Sequence, residues 1–419
     1  MDKLAVIGGR PLFGEIPISG AKNSALKVMV ATLLSDEKLT IENVPRLADV
    51  SMLLRLLEQH GVEQEFNGST LTLITRNIIS TEAPYDLVRK MRASFNVLGP
   101  LLAREGKAKV SLPGGCAIGA RPVDLHLKAL SAMGAEIELE EGYVLAEAPN
   151  GLHGAKIDFP FVSVGATEHA MLAAVTASGS TILSNAAREP EIADLAECLT
   201  GMGAKIEGAG TSTIEIEGVE KLRGGHHMVL PDRIETGAYA MAVGVTGGEI
   251  FLKNARLDLL GAAVGSMEEA GLKISDEENG FRVKREPDRC LAVDVVTQPF
   301  PGFPTDLQAQ FMAMMSTAEG TSVIKETIFE NRFMHAPELA RMGADISVDG
   351  QTATVRGKPR LKGAPVMATD LRASMSLVIA ALGAEGQTFV NRVYHLDRGF
   401  ERLEEKLVNV GALIERVKE

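Results

Sequence analysis

The phrase MGAEIEL (residues 133–139) is one of six variants of a single pattern in this chain. The others are HGVEQEF from His60, MGAKIEG from Met202, AGLKISD from Ala270, MGADISV from Met342 and VGALIER from Val410. Their glycines fall at 61, 134, 203, 271, 343 and 411, so successive copies lie 68 to 73 residues apart. A period of this length marks one supersecondary unit used repeatedly.

The surroundings of each phrase define that unit. Before MGAEIEL comes DLHLKALSA, in which Leu125, Leu127, Leu130 and Met133 recur at helical spacing. After it, EIELEEGYVLAEA alternates about a Glu–Gly turn and reads as two strands. The glycine between helix and strand suits a helix C-cap. A second set of helices ends at Gly106, Gly179, Gly248, Gly320 and Gly386. Its first member, within NSALKVMVATLLS, places Leu26, Met29, Val30, Leu33 and Leu34 on one broad apolar face. β-rich runs then close on Asn43, Asn185, Asn254 and Asn391. The repeat is therefore helix, strand, helix, strand, strand, an α/β unit present six times.

Six units divide into three plus three, with a boundary expected near 228–232. Residues 22–229 form one predicted domain. Residues 1–21 and 230–419 form the other, the first segment supplying it with a strand. A chain of 419 residues is long enough for two such cores.

Composition narrows the function. The net charge is −12, without a basic tail, and Trp is absent. Nucleic acid and membrane surfaces are thus poor partners. The N-terminal stretch MDKLAVIGGRPLFGEIPI is too polar for a signal peptide, and no apolar run reaches a membrane span. Three cysteines without CxxC spacing predict neither a metal site nor a disulfide framework, which fits a reducing cytoplasm. Nothing in the sequence sets an oligomeric state.

The starts of the first helix in each unit are unusually polar. They carry Lys22 and Asn23; Arg92; Ser163 with Thr167; Arg233 with Glu235; Asp306 with Gln308; and Asp370 with Arg372. Helix N-termini favour anions, and three brought together per domain would build an anion-binding surface. Ordinary capping is the plain alternative for any one of them. Further arginines, Arg121, Arg188, Arg332 and Arg398, lie in loops after strands. Arginine suits planar, paired recognition of carboxylate and phosphate. Arg398 also has Asp397 and Glu401 nearby, so a structural ion pair competes with that reading.

Eight phrases together carry a resemblance that spans essentially the whole chain. They are ISGAKNSAL (18–26), LPGGCAIGARPVDLH (112–126), NAAREPEI (185–192), LPDRIETG (230–237), FPTDLQAQF (303–311), ETIFENRFMH (326–335), ATDLRAS (368–374) and HLDRGFERLEEKL (395–407). In this order they resemble the UDP-N-acetylglucosamine 1-carboxyvinyltransferase family of enolpyruvyl transferases. The resemblance implies a two-domain inside-out α/β barrel with three βαβαββ units per domain. The active site would lie in the interdomain cleft, and the cysteine loop (112–122) would act as a mobile lid. It implies transfer of the enolpyruvyl group of phosphoenolpyruvate to the 3'-hydroxyl of UDP-N-acetylglucosamine, the first committed step of peptidoglycan synthesis. Phosphate is released by addition and elimination through a tetrahedral ketal, and no cofactor or metal is required.

Carried over by position, Cys116 matches a general acid toward C3 that also forms a phospholactoyl adduct, and Asp306 a general base near the sugar hydroxyl. Lys22, Arg121 and Arg398 match the phosphate cluster. Arg332 and Arg372 match the pair facing the carboxylate, and Asn23 and Asp370 line the reacting centre. Arg92, Arg121, Pro122, Val123, Asp124, Leu125, Ser163, Val164, Asp306 and Ile328 match positions that bind the UDP-sugar.

A single cysteine is more often inert core than nucleophile. That suits Cys198, set in the helical pattern DLAECLTGMGA. It suits Cys116 poorly, because PGGCAIG offers glycines on both sides and little apolar packing, and nearby Lys22 and Arg121 would favour a reactive thiolate. Asp306 could equally be a plain first-turn aspartate, and the resemblance tips it to catalysis. His335 and His395 lie beside site loops without ligand spacing.

Two positions depart from the family pattern. Ala48 and Phe161 stand where many members carry lysine, which predicts weaker UDP-sugar binding with the chemistry retained. Arg46 is the nearest residue that would compensate. Two other readings stay open at this point: 5-enolpyruvylshikimate-3-phosphate synthase, whose first motif resembles PGSKS rather than SGAKN, and a silent nucleotide-sugar-binding paralogue.

Overall fold

The computed structural model describes residues 2–114 and 123–418. It contains six four-stranded sheets with one shared topology. In the sheet of residues 156–217, Lys156–Asp158 runs parallel to Ser180–Ser184. That strand pairs antiparallel with Thr213–Glu217, which pairs antiparallel with Lys205–Glu207. Leu183, Ile214 and Ile216 fill the buried face, while Glu215 and Glu217 face outward. This two-residue alternation fixes the register, since a slip of one residue would bury the glutamates.

Three of these modules make each of two compact units. One comprises residues 20–114 and 123–230; the other comprises 2–19 and 231–418. The N-terminal segment contributes two strands rather than the single one expected. Lys3–Ile7 lies between Gln387–Asn391 and Leu413–Val417, and Leu12–Pro17 runs parallel to Gly248–Lys253. Within the first unit, Gly225–Met228 closes the sheet that begins with Lys38–Glu42.

Helices fill the inside of each unit. In the second unit Arg233–Thr246, Gln308–Met315 and Ala373–Gly383 pack on one another. Every residue of Gln308–Met315 is buried. A helix buried on all sides belongs in a core, so the sheets take the outside. Close approach relies on glycine here: a Cβ on Gly244 would sit 2.4 Å from Met314 Sδ. In the first unit the core helices are Lys22–Val30, Leu98–Glu105 and Val164–Ala174. The apolar run after Lys22 is not one α-helix, because Ala31–Leu34 tightens into a 3₁₀ turn.

The repeated glycine has a backbone reason. Residues 61, 134, 203, 271, 343 and 411 all hold φ between 93° and 103°, a left-handed conformation that side-chain-bearing residues avoid. At Gly134 a Cβ would also meet the His153 ring at 2.6 Å. The recurring asparagines have a different one. Asn43, Asn185 and Asn254 adopt φ of 58°, 53° and 63°. The side-chain amides of Asn43, Asn185 and Asn391 donate to the carbonyls of Val229, Phe159 and Val366, at 2.9, 2.8 and 3.0 Å. Each carbonyl lies at the end of the parallel neighbouring strand, so the asparagine ties that pair together where the chain leaves for the next helix.

Candidate active site

In the second unit the three core helices start around one arginine. Asp232 is the N-cap of Arg233–Thr246, and its carboxylate accepts from the N–H groups of Ile234 and Glu235 at 2.8 and 3.0 Å. Asp306 lies in the 3₁₀ turn Thr305–Leu307 that leads into the second helix. Arg372 precedes the third, its N–H and that of Ala373 donating to Asp370 Oδ1 at 2.8 and 2.9 Å. From there Arg372 reaches Asp306 Oδ2 through Nε at 3.4 Å, and its Nη2 lies 3.8 Å from Asp232. Arg332, from the loop after Thr321–Lys325, donates to the other oxygen of Asp306 at 2.8 Å. Asp306 thus bridges two guanidinium groups that are only 5% and 3% exposed, while its own side chain is 26% exposed.

Electrostatics keep Arg332 charged. Burial opposes the charge on Arg332, but Asp306, Asp370 and Glu326 outweigh it and raise its pKa. His335, fully buried beside Asp370 and Arg332, behaves oppositely. Burial lowers its pKa to about 4; Asp370 opposes that shift and Arg332 adds to it. Two arginines held in place by one carboxylate can receive a second carboxylate once the first turns aside.

Glu326 organises the surrounding loops and is 1% exposed. It accepts from the hydroxyls of Thr297 and Thr305 at 2.9 Å each, and from the N–H groups of Ile328 and Phe329 at 2.8 and 3.2 Å. The turn bearing Asp306 and the loop bearing Ile328 and Arg332 are therefore tied to one carboxylate. Glu326→Ala leaves four donors without it. We expect a loss of about 3 kcal/mol, with Glu326→Gln intermediate, read from urea unfolding of the purified chain. A loss below about 1 kcal/mol would remove Glu326 from this role.

In the first unit Lys22 is the first residue of its helix and is almost fully buried, with Nζ 3.2 Å from Asp49. Asn23 follows it, half-buried. Arg92 opens the 3₁₀ turn Arg92–Val97 and is partly exposed. Ser163 caps Val164–Ala174, its hydroxyl accepting from the Ala166 N–H at 3.4 Å. Thr167 donates to the Ser163 carbonyl at 2.9 Å. Val123 and Leu125 point into the unit, whereas Asp124, first in the helix Asp124–Ala132, is exposed. Behind these starts, Lys27 pairs with Glu168 at 2.6 Å. Burial raises the Glu168 pKa to about 6 against the pull of Lys27.

Not every sequence expectation joins these groups. Cys116, Arg121 and Pro122 lie outside the described residues. Arg398 ends the 3₁₀ segment Val393–Arg398 and is partly exposed, while neighbouring Asp397 turns to Arg416, with one contact at 2.5 Å. Arg188 is exposed, with its Nε 3.5 Å from the Gly210 carbonyl. Ala48 and Phe161 are both exposed. Arg46 is engaged elsewhere: it donates to the Gly68 carbonyl at 2.9 and 3.0 Å and stacks on the Phe66 ring at 3.8 Å. Sequence reasoning passed over Glu326, Asp49 and Asp232. Only Asp232 had a local signal, the capping-box spacing Asp232-x-x-Glu235.

The chain matches the family model described as EPSP synthase (3-phosphoshikimate 1-carboxyvinyltransferase) over residues 6–407. It is 62% identical to the UDP-N-acetylglucosamine 1-carboxyvinyltransferase of Azorhizobium caulinodans, with all of both chains covered. The chain belongs to the UDP-N-acetylglucosamine 1-carboxyvinyltransferase family. A second family member, from Maricaulis maris, is 65% identical over all of this chain and 99% of its own. Among solved structures, the enolpyruvyl transferase NikO from Streptomyces tendae aligns with a TM-score of 0.90 at 26% identity, covering 100% of this chain and 99% of that one. EPSP synthase from Acinetobacter baumannii aligns at 0.78 and 19% identity over the full length of both, which speaks to fold alone. The six-module α/β architecture is thus the enolpyruvyl transferase fold. Among the described residues no helix is long and apolar enough to cross a membrane, and no three His, Cys, Asp or Glu side chains group as metal ligands.

Proposed function

We propose that this chain transfers the enolpyruvyl group of phosphoenolpyruvate to the 3'-hydroxyl of UDP-N-acetylglucosamine and releases phosphate, the entry step of peptidoglycan synthesis in the cytoplasm. The observation that carries the site assignment is the buried Arg332–Asp306–Arg372 bridge. Two guanidinium groups suit the substrate carboxylate, and Asp306 suits a base once that carboxylate has displaced it from them. Lys22, Arg121 and Arg398 take the phosphate, and Asn23 and Asp370 line the reacting carbon. Arg92, Arg121 to Leu125, Ser163, Val164 and Ile328 take the UDP-sugar.

In the addition step the thiol of Cys116 protonates C3 while the sugar oxygen bonds to C2, and Asp306 accepts the hydroxyl proton. The thiol form is required for this transfer. In the elimination step the Cys116 thiolate takes a proton back from C3, the C2–O bond to phosphate breaks, and the proton held on Asp306 leaves with the phosphate. The product is the enolpyruvyl ether plus inorganic phosphate, with atoms and charge balanced.

Phosphate release from phosphoenolpyruvate, with UDP-N-acetylglucosamine or shikimate 3-phosphate as acceptor, tests the reading. Release with the first acceptor alone is expected. Release only with the second would make the chain a shikimate-type transferase, and none with either would make it a silent paralogue.

Fosfomycin gives a thiol-specific check. Burial raises the Cys198 and Cys290 pKa values to about 12 and about 11, so neither presents a thiolate near neutral pH. Mass spectrometry should find a single adduct, on Cys116, and none in Cys116→Ser. Modification of Cys198 or Cys290 in its place would contradict the assignment.

A further inference from the structure

Two histidines in the first unit form a proton-ordered pair. His169 lies in the helix Val164–Ala174 and His126 in the helix Asp124–Ala132. They are 1% and 5% exposed, with their Nδ1 atoms 2.9 Å apart. The Gly99 N–H donates to His169 Nε2 at 2.7 Å. Phe95 meets both rings edge-on, at centroid distances of 5.6 and 5.9 Å.

These contacts leave one arrangement of protons. His169 Nε2 accepts, so the His169 proton sits on Nδ1. That proton fills the space between the two Nδ1 atoms, so His126 Nδ1 accepts and its own proton sits on Nε2. The Cε1–Nε2 edge of His126 faces Gly165, where a Cβ would come within 3.3 Å of the ring. Gly165 is in the first turn after Ser163 and Val164, and His126 follows Val123, Asp124 and Leu125 directly.

We propose that His169 is a positioning residue for UDP-sugar binding: it fixes the Nε2–H tautomer of His126 and thereby docks residues 123–126 against the start of the Ser163 helix. This rests on the reading of those two segments as the UDP-sugar site. Burial holds the His169 imidazole down at about 3, with Lys27 pushing the same way, so the ring stays neutral.

Two variants separate tautomer control from packing. His169→Asn keeps a donor where Nδ1 stood and loses volume. His169→Leu keeps the volume and loses the donor. Tautomer control predicts a KM for UDP-N-acetylglucosamine raised about tenfold in His169→Leu and little changed in His169→Asn, the scale of one hydrogen bond. The KM for phosphoenolpyruvate should not move in either. A simple packing role predicts the reverse order, which would overturn the proposal.

Long-range ¹H–¹⁵N spectra of the ligand-free wild-type chain, labelled at histidine, read the protons directly. His169 should show Nδ1–H and His126 Nε2–H. Nδ1–H on His126 would also overturn the proposal, whether or not either variant folds. If the wild-type chain fails to turn over UDP-N-acetylglucosamine while the spectra show this pair, the functional reading fails and the pair itself stands.

Discussion

Asp306→Asn is expected to lower kcat for phosphate release by about 10³-fold, within the range for loss of a general base. The amide fits the same space in the turn Thr305–Leu307, so the change removes charge and basicity rather than shape. It also frees the arginines. Asp306 accepts from Arg332 at 2.8 Å and from Arg372 at 3.4 Å, occupying the donors assigned to the substrate carboxylate. On the proposed site assignment phosphoenolpyruvate would displace Asp306, and the displaced carboxylate would become available to the sugar hydroxyl. The variant should show a KM for phosphoenolpyruvate equal to or below that of the wild type, together with the fall in kcat. Steady-state kinetics with both substrates varied would check this. A kcat within tenfold of wild type would leave Asp306 a structural aspartate.

Arg372→Ala is the second large effect, and it acts on stability as well as activity. The side chain is 3% exposed and lies between Asp306 and Asp232, with the Phe400 ring 5.8 Å from its guanidinium carbon. Its removal takes one guanidinium from each of two carboxylates. Breaking a buried pair from one end costs roughly 3–5 kcal/mol. Losing a paired contact to the substrate carboxylate should lower kcat/KM for phosphoenolpyruvate by about 10³-fold. Arg372→Lys restores charge without the planar fork, so it should recover stability better than kcat/KM. Urea unfolding and kinetics on the same preparations would show the split. Equal recovery of both by lysine would mean that the arginine acts only as a charge.

The repeat made most of the fold legible before any coordinates. Gly134 and its five counterparts occupy left-handed positions where other residues are strained, so the turn is written into the local sequence. The two-residue alternation in Thr213–Glu217 announces a sheet by period alone. The site was legible in part. Polar residues at the helix starts stood out because they coincide at all six starts, although capping accounts for some of them, such as Ser163.

Their partners were not legible. Nothing near Lys22 points to Asp49, and nothing near Asp306 points to Arg372, 66 residues away. Glu326 looked like one acid among many, although it holds four donors. Arg46 looked available and is committed to Gly68 and Phe66.

By itself the sequence determined the six modules, their element order and the chemical character of their helix starts, because these depend on residues within one or two turns of each other. Only the tertiary structure decided which charges pair, which are buried and which nitrogen of His126 carries the proton. Those outcomes depend on distance and desolvation between segments that the chain brings together only when the helices pack.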